Sequence, residues 1–322
     1  MARTVKFAAS GVGSFWYAGG VMLQKTIAPL GFNLALDEGV SDYNNVLSVA
    51  DGKNEIGITM PQFVDWAVRK AHPVFADKDI PDLRVIAALN LPVWLAAAID
   101  RSTGITSLKE IAEKKVPWKV VLPARRNLVG VYIEYILKAH GITRESIISW
   151  GGADLLPTLQ KTPEDRARLI RETGRDEMIS VTKDLAKSGA ANGFFLYVNG
   201  NSKWGRDLTT LLDLRFLTFD EAALDKVNAE WYGTKITLPA RLFAGVDEDM
   251  PVVGWRHHYI YGRADVPDDL ARAVLTALED ETILDNEHGF SYSGFRPQLV
   301  RGLKLHRATE EYFKEREAVL SR

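Results

Sequence analysis

The sequence predicts an α/β protein of two lobes, each a mostly parallel sheet flanked by helices, with two strands crossing between the lobes. The chain has 322 residues, which is more than one hydrophobic core usually serves. Strand-like and helix-like segments alternate almost throughout, which is typical of parallel strands joined by crossover helices. No linker-like stretch separates two halves, so we expect the crossings to be extended strands.

Two apolar segments are the best candidates for these crossings. Residues 93–99 form a continuous apolar run, the pattern of a strand buried on both faces, and residues 252–261 have the pattern of a long strand. These crossings place lobe 1 at residues 1–94 and 256–322 and lobe 2 at residues 95–255.

The first lobe alternates short apolar runs with helical patterns. A turn rich in glycine, Gly11–Ser14, follows the first strand and leads into a helix. The predicted strands of this lobe are 5–9, 33–37, 56–58 and 84–89, and its further helices lie around 46–47 and 63–70 and at 267–278 and 308–319.

The second lobe contains clear helix signals. Ser107–Glu110 has the pattern of a capping box. Apolar residues recur at three- and four-residue steps from Leu128 to Ala139 and stop before Gly141, which predicts an amphipathic helix. A threonine, a proline and two acids at 162–165 predict the start of a charged surface helix. The remaining predictions are strands at 120–122 and 193–198 and a helix at 220–231.

Composition excludes several classes of protein. There are 40 basic and 42 acidic residues, for a net charge of −2, and no basic run typical of nucleic-acid binding. The absence of cysteine excludes thiol nucleophiles, iron–sulfur clusters, thiolate zinc sites and disulfides. No apolar stretch approaches the roughly 18–20 residues of a membrane span, so we expect no direct membrane insertion.

Motifs for cofactor binding and catalysis are incomplete. The third glycine of a dinucleotide-binding turn is replaced by Trp16, and there is no Walker-type phosphate loop. Gly289–Ser293 begins like a hydrolase nucleophile elbow but ends in serine instead of glycine. His257 and His258 are adjacent on a predicted strand and point to opposite faces, so they cannot share a metal ion. The sequence therefore predicts no catalytic residue, no metal and no cofactor.

Three loops at the carboxyl ends of predicted strands combine the properties of a ligand site, because ligands of open α/β sheets bind there. In the first, glycine amides and a helix N-terminus attract an anion, and the following tryptophan and tyrosine can cover the ligand. The second carries two arginines at a helix N-terminus, where they oppose the helix dipole and favour a bound carboxylate or phosphate. The third offers asparagine amides, which both donate and accept hydrogen bonds. The ligand contacts predicted from these loops and from the start of the 63–70 helix are Gly13, Ser14, Trp16, Tyr17, Gln62, Arg125, Arg126, Asn127, Tyr197 and Asn199.

The collinear order of several segments resembles the TAXI-type solute receptors of TRAP transport systems over almost the whole chain. The segments that carry this resemblance are Gly11–Gly20, Asn44–Ile58, Ser188–Phe195, Leu238–Val252 and His306–Glu315. The resemblance implies a periplasmic-binding-protein-like fold, a periplasmic location, a membrane permease partner, and small organic acids or amino acids as ligands.

Two segments depart from the pattern of that family. Its middle loop is usually Gly-Ser-Gly-Thr-like, whereas this chain has Arg125-Arg126-Asn127, which predicts a ligand with more negative charge or an aromatic ring. The stretch 153–178 is longer than usual, and its role is open between a permease contact, an oligomer contact and decoration.

The sequence thus predicts a receptor whose two lobes close over a small anionic metabolite, with no nucleic-acid partner. The N-terminus shows no signal peptide, which leaves a second hypothesis open: a cytoplasmic enzyme on the same fold, such as a decarboxylase or a biosynthetic enzyme acting on an aromatic acid. A third hypothesis is that the protein senses a ligand as the partner of a signalling kinase.

Overall fold

The computed structural model describes residues 2–11, 14–38, 43–122, 128–155, 184–200, 202–231, 234–279, 300 and 302–320. These residues form two compact α/β units, one of residues 1–91 and 256–322 and the other of residues 92–255. Both unit boundaries fall inside long strands, so the chain passes twice from one unit to the other on extended backbone, and the predicted fold class is confirmed.

Alternating strands and helices make up most of the described chain. The strands are β1 (Arg3–Ala8), β2 (Phe32–Asp37), β3 (Ile56–Thr59), β4 (Leu83–Asp100), β5 (Lys119–Val121), β6 (Ala153–Asp154), β7 (Gly193–Asn199), β8 (Leu214–Phe216), β9 (Lys235–Leu238) and β10 (Met250–Arg263). The helices are α1 (Phe15–Ile27), α2 (Tyr43–Ala50), α3 (Pro61–Arg69), α4 (Pro73–Ala76), α5 (Leu108–Lys114), α6 (Leu128–Ala139), α7 (Arg144–Ser149), α8 (Lys203–Leu211), α9 (Glu221–Trp231), α10 (Asp268–Ala277) and α11 (Arg307–Leu320). None of the helices in the described ranges has the length and hydrophobicity of a membrane span.

Unit 1 is built on parallel strands. β1 pairs in parallel with both β2 and β3, and β10 joins β3 in the antiparallel direction, with Tyr259 opposite Thr59. α1 follows β1 and α3 follows β3, so the N-termini of both helices lie at the carboxyl edge of this sheet.

Unit 2 combines parallel and antiparallel pairs. β5 pairs in parallel with β6 and β7, whereas β7 and β8 are antiparallel to β4, and β9 is antiparallel to β10. Its core contains buried side chains from β4, β7 and β10, including Phe194, Leu196 and Val252. In both units, every described antiparallel pair involves one of the two long strands, β4 and β10.

The predicted strands 84–89 and 93–99 are one continuous strand in the structure. β4 runs for 18 residues through Pro92, so treating the Asn90–Pro92 stretch as a break was wrong. A proline cannot donate to a neighbouring strand, but it tolerates extended backbone where the ladder does not need that donor. The predicted charged helix starting at 162 lies outside the described residues.

Candidate functional site

The carboxyl edge of unit 1 carries the first predicted loop and Gln62. The backbone leaves β1 through Ser10, which is buried and has a φ of 76°, a conformation that is rare for a residue other than glycine. Gly13 lies outside the described residues, and the chain continues at Ser14. Gln62 is buried near the start of α3, directly after Pro61.

Ser14 caps helix α1. Its side-chain oxygen accepts a hydrogen bond from the backbone N–H of Tyr17 at 3.0 Å, and its own backbone N–H donates to Gly11 at 3.1 Å. The Ser14 backbone is extended, as in most N-caps. The hydroxyl oxygen of Ser14 therefore already has a partner within the protein.

Trp16 donates a hydrogen bond to a histidine on another element. Its side chain is 3% exposed, and its indole Nε1 donates to Nδ1 of His258 on β10 at 2.8 Å. Because Nδ1 accepts this bond, the ring proton of the neutral imidazole lies on Nε2. Phe15 also contacts His258 edge to face, with ring centroids 5.2 Å apart.

His258 is a neutral side chain in this arrangement. Burial lowers the pKa of His258 to about 3, the adjacent His257 lowers it further, and the backbone of Leu91 opposes the shift. The imidazole therefore acts as a hydrogen-bonding group and not as a positive charge. From the sequence, His258 is expected either to pack or to make one hydrogen bond to a ligand, because nothing in a single sequence reveals a hydrogen bond across 242 positions.

Tyr17 lies beside the end of β2. Its hydroxyl donates to Oε1 of Glu38 at 3.2 Å, and both side chains are at least partly exposed. Burial raises the pKa of Tyr17, and the hydrogen bond and negative charge of Glu38 raise it further. Glu38 is thus a further polar group at this edge that sequence reasoning did not identify.

The corresponding edge of unit 2 carries the third predicted loop. Tyr197 and Asn199 lie on β7, where Tyr197 pairs with Leu95 and Asn199 pairs with Val93 of β4. A Cβ atom on Gly254 of β10 would fall 2.3 Å from the carbonyl oxygen of Val93. Asn199, Val93 and Gly254 therefore lie at one level of three strands.

The second predicted loop lies between β5 and α6 in the sequence. β5 and β7 are parallel, so the end of β5 and the end of β7 point the same way, and α6 begins at Leu128 after the loop. Arg125, Arg126 and Asn127 themselves lie outside the described residues.

Four rings of unit 2 form a contiguous group that we call the aromatic cluster: Tyr132 and Tyr135 of α6, Trp231 of α9 and Trp255 of β10. The ring centroids of Tyr132 and Trp255 are 4.9 Å apart, and Trp231 lies 4.6 Å from both tyrosines. Burial raises the pKa of Tyr135 to about 12, and the nearby carboxylate of Glu230 raises it further. The helical spacing of the tyrosines was visible in the sequence, but their tryptophan partners were not.

The described residues contain no group of three or more histidine, aspartate or glutamate side chains placed to hold a metal ion. The described parts of the two edges present hydrogen-bonding groups, among them the carboxylate of Glu38, together with aromatic rings. Such an arrangement binds small molecules by hydrogen bonding and ring contact.

Comparison with protein-family models and with curated protein sequences finds no match. Solved structures do match. A TctC solute-binding protein from Polaromonas has a TM-score of 0.52 at 10% identity, over 90% of this chain and 90% of that one. The periplasmic binding protein BugD has a TM-score of 0.50 at 11% identity, over 97% of each chain, and a periplasmic transporter has 0.48 at 14%, over 100% and 96%. At these identities the first two show a shared fold, that of periplasmic solute-binding proteins.

Proposed function

We propose that this chain is a substrate-binding receptor of a TRAP-type transport system, and that it captures a small anionic metabolite outside the cytoplasm. The observation that supports the proposal is the position of the predicted residues Ser14 and Gln62 at the carboxyl edge of unit 1, and of Asn199 at the end of β7 in unit 2. In unit 2, Asn199 lies level with Val93 and Gly254, and β5, which precedes the arginines in the sequence, runs parallel to β7. In a fold shared with solute-binding proteins, this edge is where a ligand is expected.

The anionic character of the ligand is argued from Arg125 and Arg126. Both precede α6, whose N-terminus attracts negative charge and repels guanidinium groups. A bound carboxylate removes this conflict, because it accepts bidentate hydrogen bonds from an arginine and is also favoured by the helix dipole. Organic acids and amino acids are therefore the ligand classes to test.

The test is a thermal-melt screen of the purified protein against aliphatic acids, aromatic acids and amino acids. A ligand at a hundred times its dissociation constant stabilises the fold by about 2.7 kcal/mol. We expect at least one acid to raise the melting temperature without being consumed. Arg125→Ala or Arg126→Ala should weaken its binding by roughly tenfold or more, because a hydrogen bond to a charged group is lost.

Arg307→Ala is the matched control. Arg307 is an exposed arginine on α11 that pairs with Asp268, so its loss should leave the ligand affinity unchanged. A flat screen on protein that has been unfolded and refolded to remove carried-over ligand would reject the receptor. Chemical conversion of a compound in the screen would favour the enzyme hypothesis instead.

The transport partner and the location need a separate measurement. We expect the full-length gene product to be found in the periplasmic fraction of its host and to co-purify with membrane permease subunits when its ligand is present. Recovery in the cytoplasmic fraction alone would contradict this part of the proposal.

A further inference from the structure

Trp255 is the last residue of β10 within unit 2, and it presents a buried donor. Its side chain is 2% exposed, and its indole Nε1 has no hydrogen-bond partner among the described residues. A buried N–H group without a partner costs free energy, and such groups are rare in native proteins. An acceptor supplied from outside the described protein would remove that cost.

Trp118 shows why the position of Trp255 matters. Its Nε1 is likewise buried without a partner among the described residues, but the indole lies directly over Gly193, where a Cβ atom would fall 1.7 Å from Nε1. Trp118 precedes β5 and Gly193 begins β7, so this contact lies at the amino end of the parallel strands. Trp255 instead follows Gly254, at the level where Asn199 ends β7.

The surroundings of Trp255 are aromatic. Tyr132 packs against Trp255, and Tyr132 and Tyr135 both pack against Trp231. Aromatic rings prefer edge-to-face or offset contact with another ring, which adds to the gain from burying apolar area. An indole N–H favours an acceptor oxygen and repels a cation, so the donor selects a carboxylate over an ammonium group.

We propose that the edge of unit 2 formed by Trp255 and the aromatic cluster is a subsite for a planar aromatic carboxylate. The indole N–H of Trp255 donates to a ligand oxygen, and the ligand ring packs against the cluster. This rests on the proposed function and names its ligand class.

The test compares benzoate with cyclohexanecarboxylate, which has the same charge and a similar size but no aromatic ring. We expect the dissociation constant of benzoate, measured by titration calorimetry, to be at least tenfold lower. Trp255→Phe keeps a ring and removes the donor to the carboxylate, so it should weaken the binding of both acids about tenfold and leave benzoate the tighter ligand. Trp118→Phe is the matched control, because it removes a buried indole N–H at the other end of the strands and should change neither affinity.

The outcomes separate this inference from the receptor proposal. Equal affinity for the two acids, or tighter binding of the cation choline, would overturn the aromatic subsite. The receptor proposal would still stand in either case if at least one acid binds. Absence of binding by every acid in the screen would reject both. If Trp255→Phe does not fold, a crystal structure of the unsubstituted protein with benzoate decides: a carboxylate oxygen beyond hydrogen-bond distance of Trp255 Nε1 overturns the proposal.

Discussion

The candidate edges of the two units use their tryptophans in opposite ways. In unit 1 the indole N–H of Trp16 donates to His258, and the Ser14 hydroxyl holds the first turn of α1. In unit 2 the indole N–H of Trp255 has no partner among the described residues, and its ring belongs to the aromatic cluster. Trp16 is thus fixed by a directional bond, whereas Trp255 is held by ring packing.

This difference suggests a division of roles. Hydrogen bonds fix both distance and angle, so the contacts of Trp16 and Ser14 hold the unit 1 edge in one conformation. Ring packing tolerates several relative orientations and leaves polar groups available. We therefore expect substitutions in unit 1 to act mainly on stability, and the corresponding substitutions in unit 2 to act mainly on binding.

Lowering the pH should destabilise the protein, because His258 is neutral in the folded state of unit 1. The pKa of His258 is about 3 in the folded protein and near 6.5 in an exposed histidine, so the unfolded chain binds the additional proton between these values. The free energy of unfolding should therefore fall as the pH falls from 6.5 toward 3. His258 contributes at most about 1.4 kcal/mol per pH unit to the change in the free energy of unfolding with pH. Over the whole window this amounts to about 5 kcal/mol. Urea unfolding at a series of pH values measures it.

The variant His258→Gln measures how much of the loss of stability in acid is due to His258. Glutamine keeps an acceptor for Trp16 but does not titrate, so the variant should lose stability less steeply in acid. Trp16→Phe disturbs the same contact while keeping the imidazole buried, and it should retain most of the slope. Parallel curves for the unsubstituted protein and His258→Gln would show that His258 is not the residue responsible.

Two tryptophan substitutions test the contrast between the two edges at neutral pH. Trp16→Phe and Trp255→Phe remove the same atoms from side chains that are 3% and 2% exposed. Only Trp16→Phe also leaves a buried acceptor, Nδ1 of His258, without its donor. We expect Trp16→Phe to be less stable than Trp255→Phe by about 1–3 kcal/mol in urea unfolding without ligand.

The difference between the two variants is the quantity that matters, because both also leave a cavity. Equal losses of stability would mean that the indole N–H of Trp255 is satisfied as well as that of Trp16. The contrast between the two edges would then disappear.

Many helices and strands of this fold can be predicted from local sequence patterns. The capping box at Ser107 appears as the hydrogen bond from Glu110 N–H to Ser107 Oγ, and the three- and four-residue periodicity of 128–139 matches α6 in full. β4 could not be predicted as one strand, because the local rule for Pro92 indicates a break. Whether a missing donor matters depends on neighbouring strands, which a sequence window does not contain.

The candidate site was less predictable than the fold, for a related reason. Ser14 could be identified as a cap because its partner Tyr17 is three residues away. The partner of Trp16 is 242 residues away, and the partners of Tyr132 come from two other elements. Loop chemistry indicates which residues to propose for the site, but long-range contacts decide whether each polar group already has a partner.

The smallest expected effect compares the two helix caps. Ser14 caps α1 in unit 1 and Ser202 caps α8 in unit 2, each accepting from a backbone N–H three residues on, at 3.0 and 3.2 Å. Ser14→Ala and Ser202→Ala should each cost about 1 kcal/mol in urea unfolding, because one N–H of the first helical turn loses its acceptor. Ser202 directly follows the third predicted loop, and its backbone N–H donates to the carbonyl of Asn199, so Ser202→Ala should also weaken ligand binding. If Ser14 serves only the helix, Ser14→Ala leaves the ligand affinity unchanged. A drop in affinity for Ser14→Ala would show that the unit 1 edge also contacts the ligand, and that the division between a stabilising edge and a binding edge is too strict.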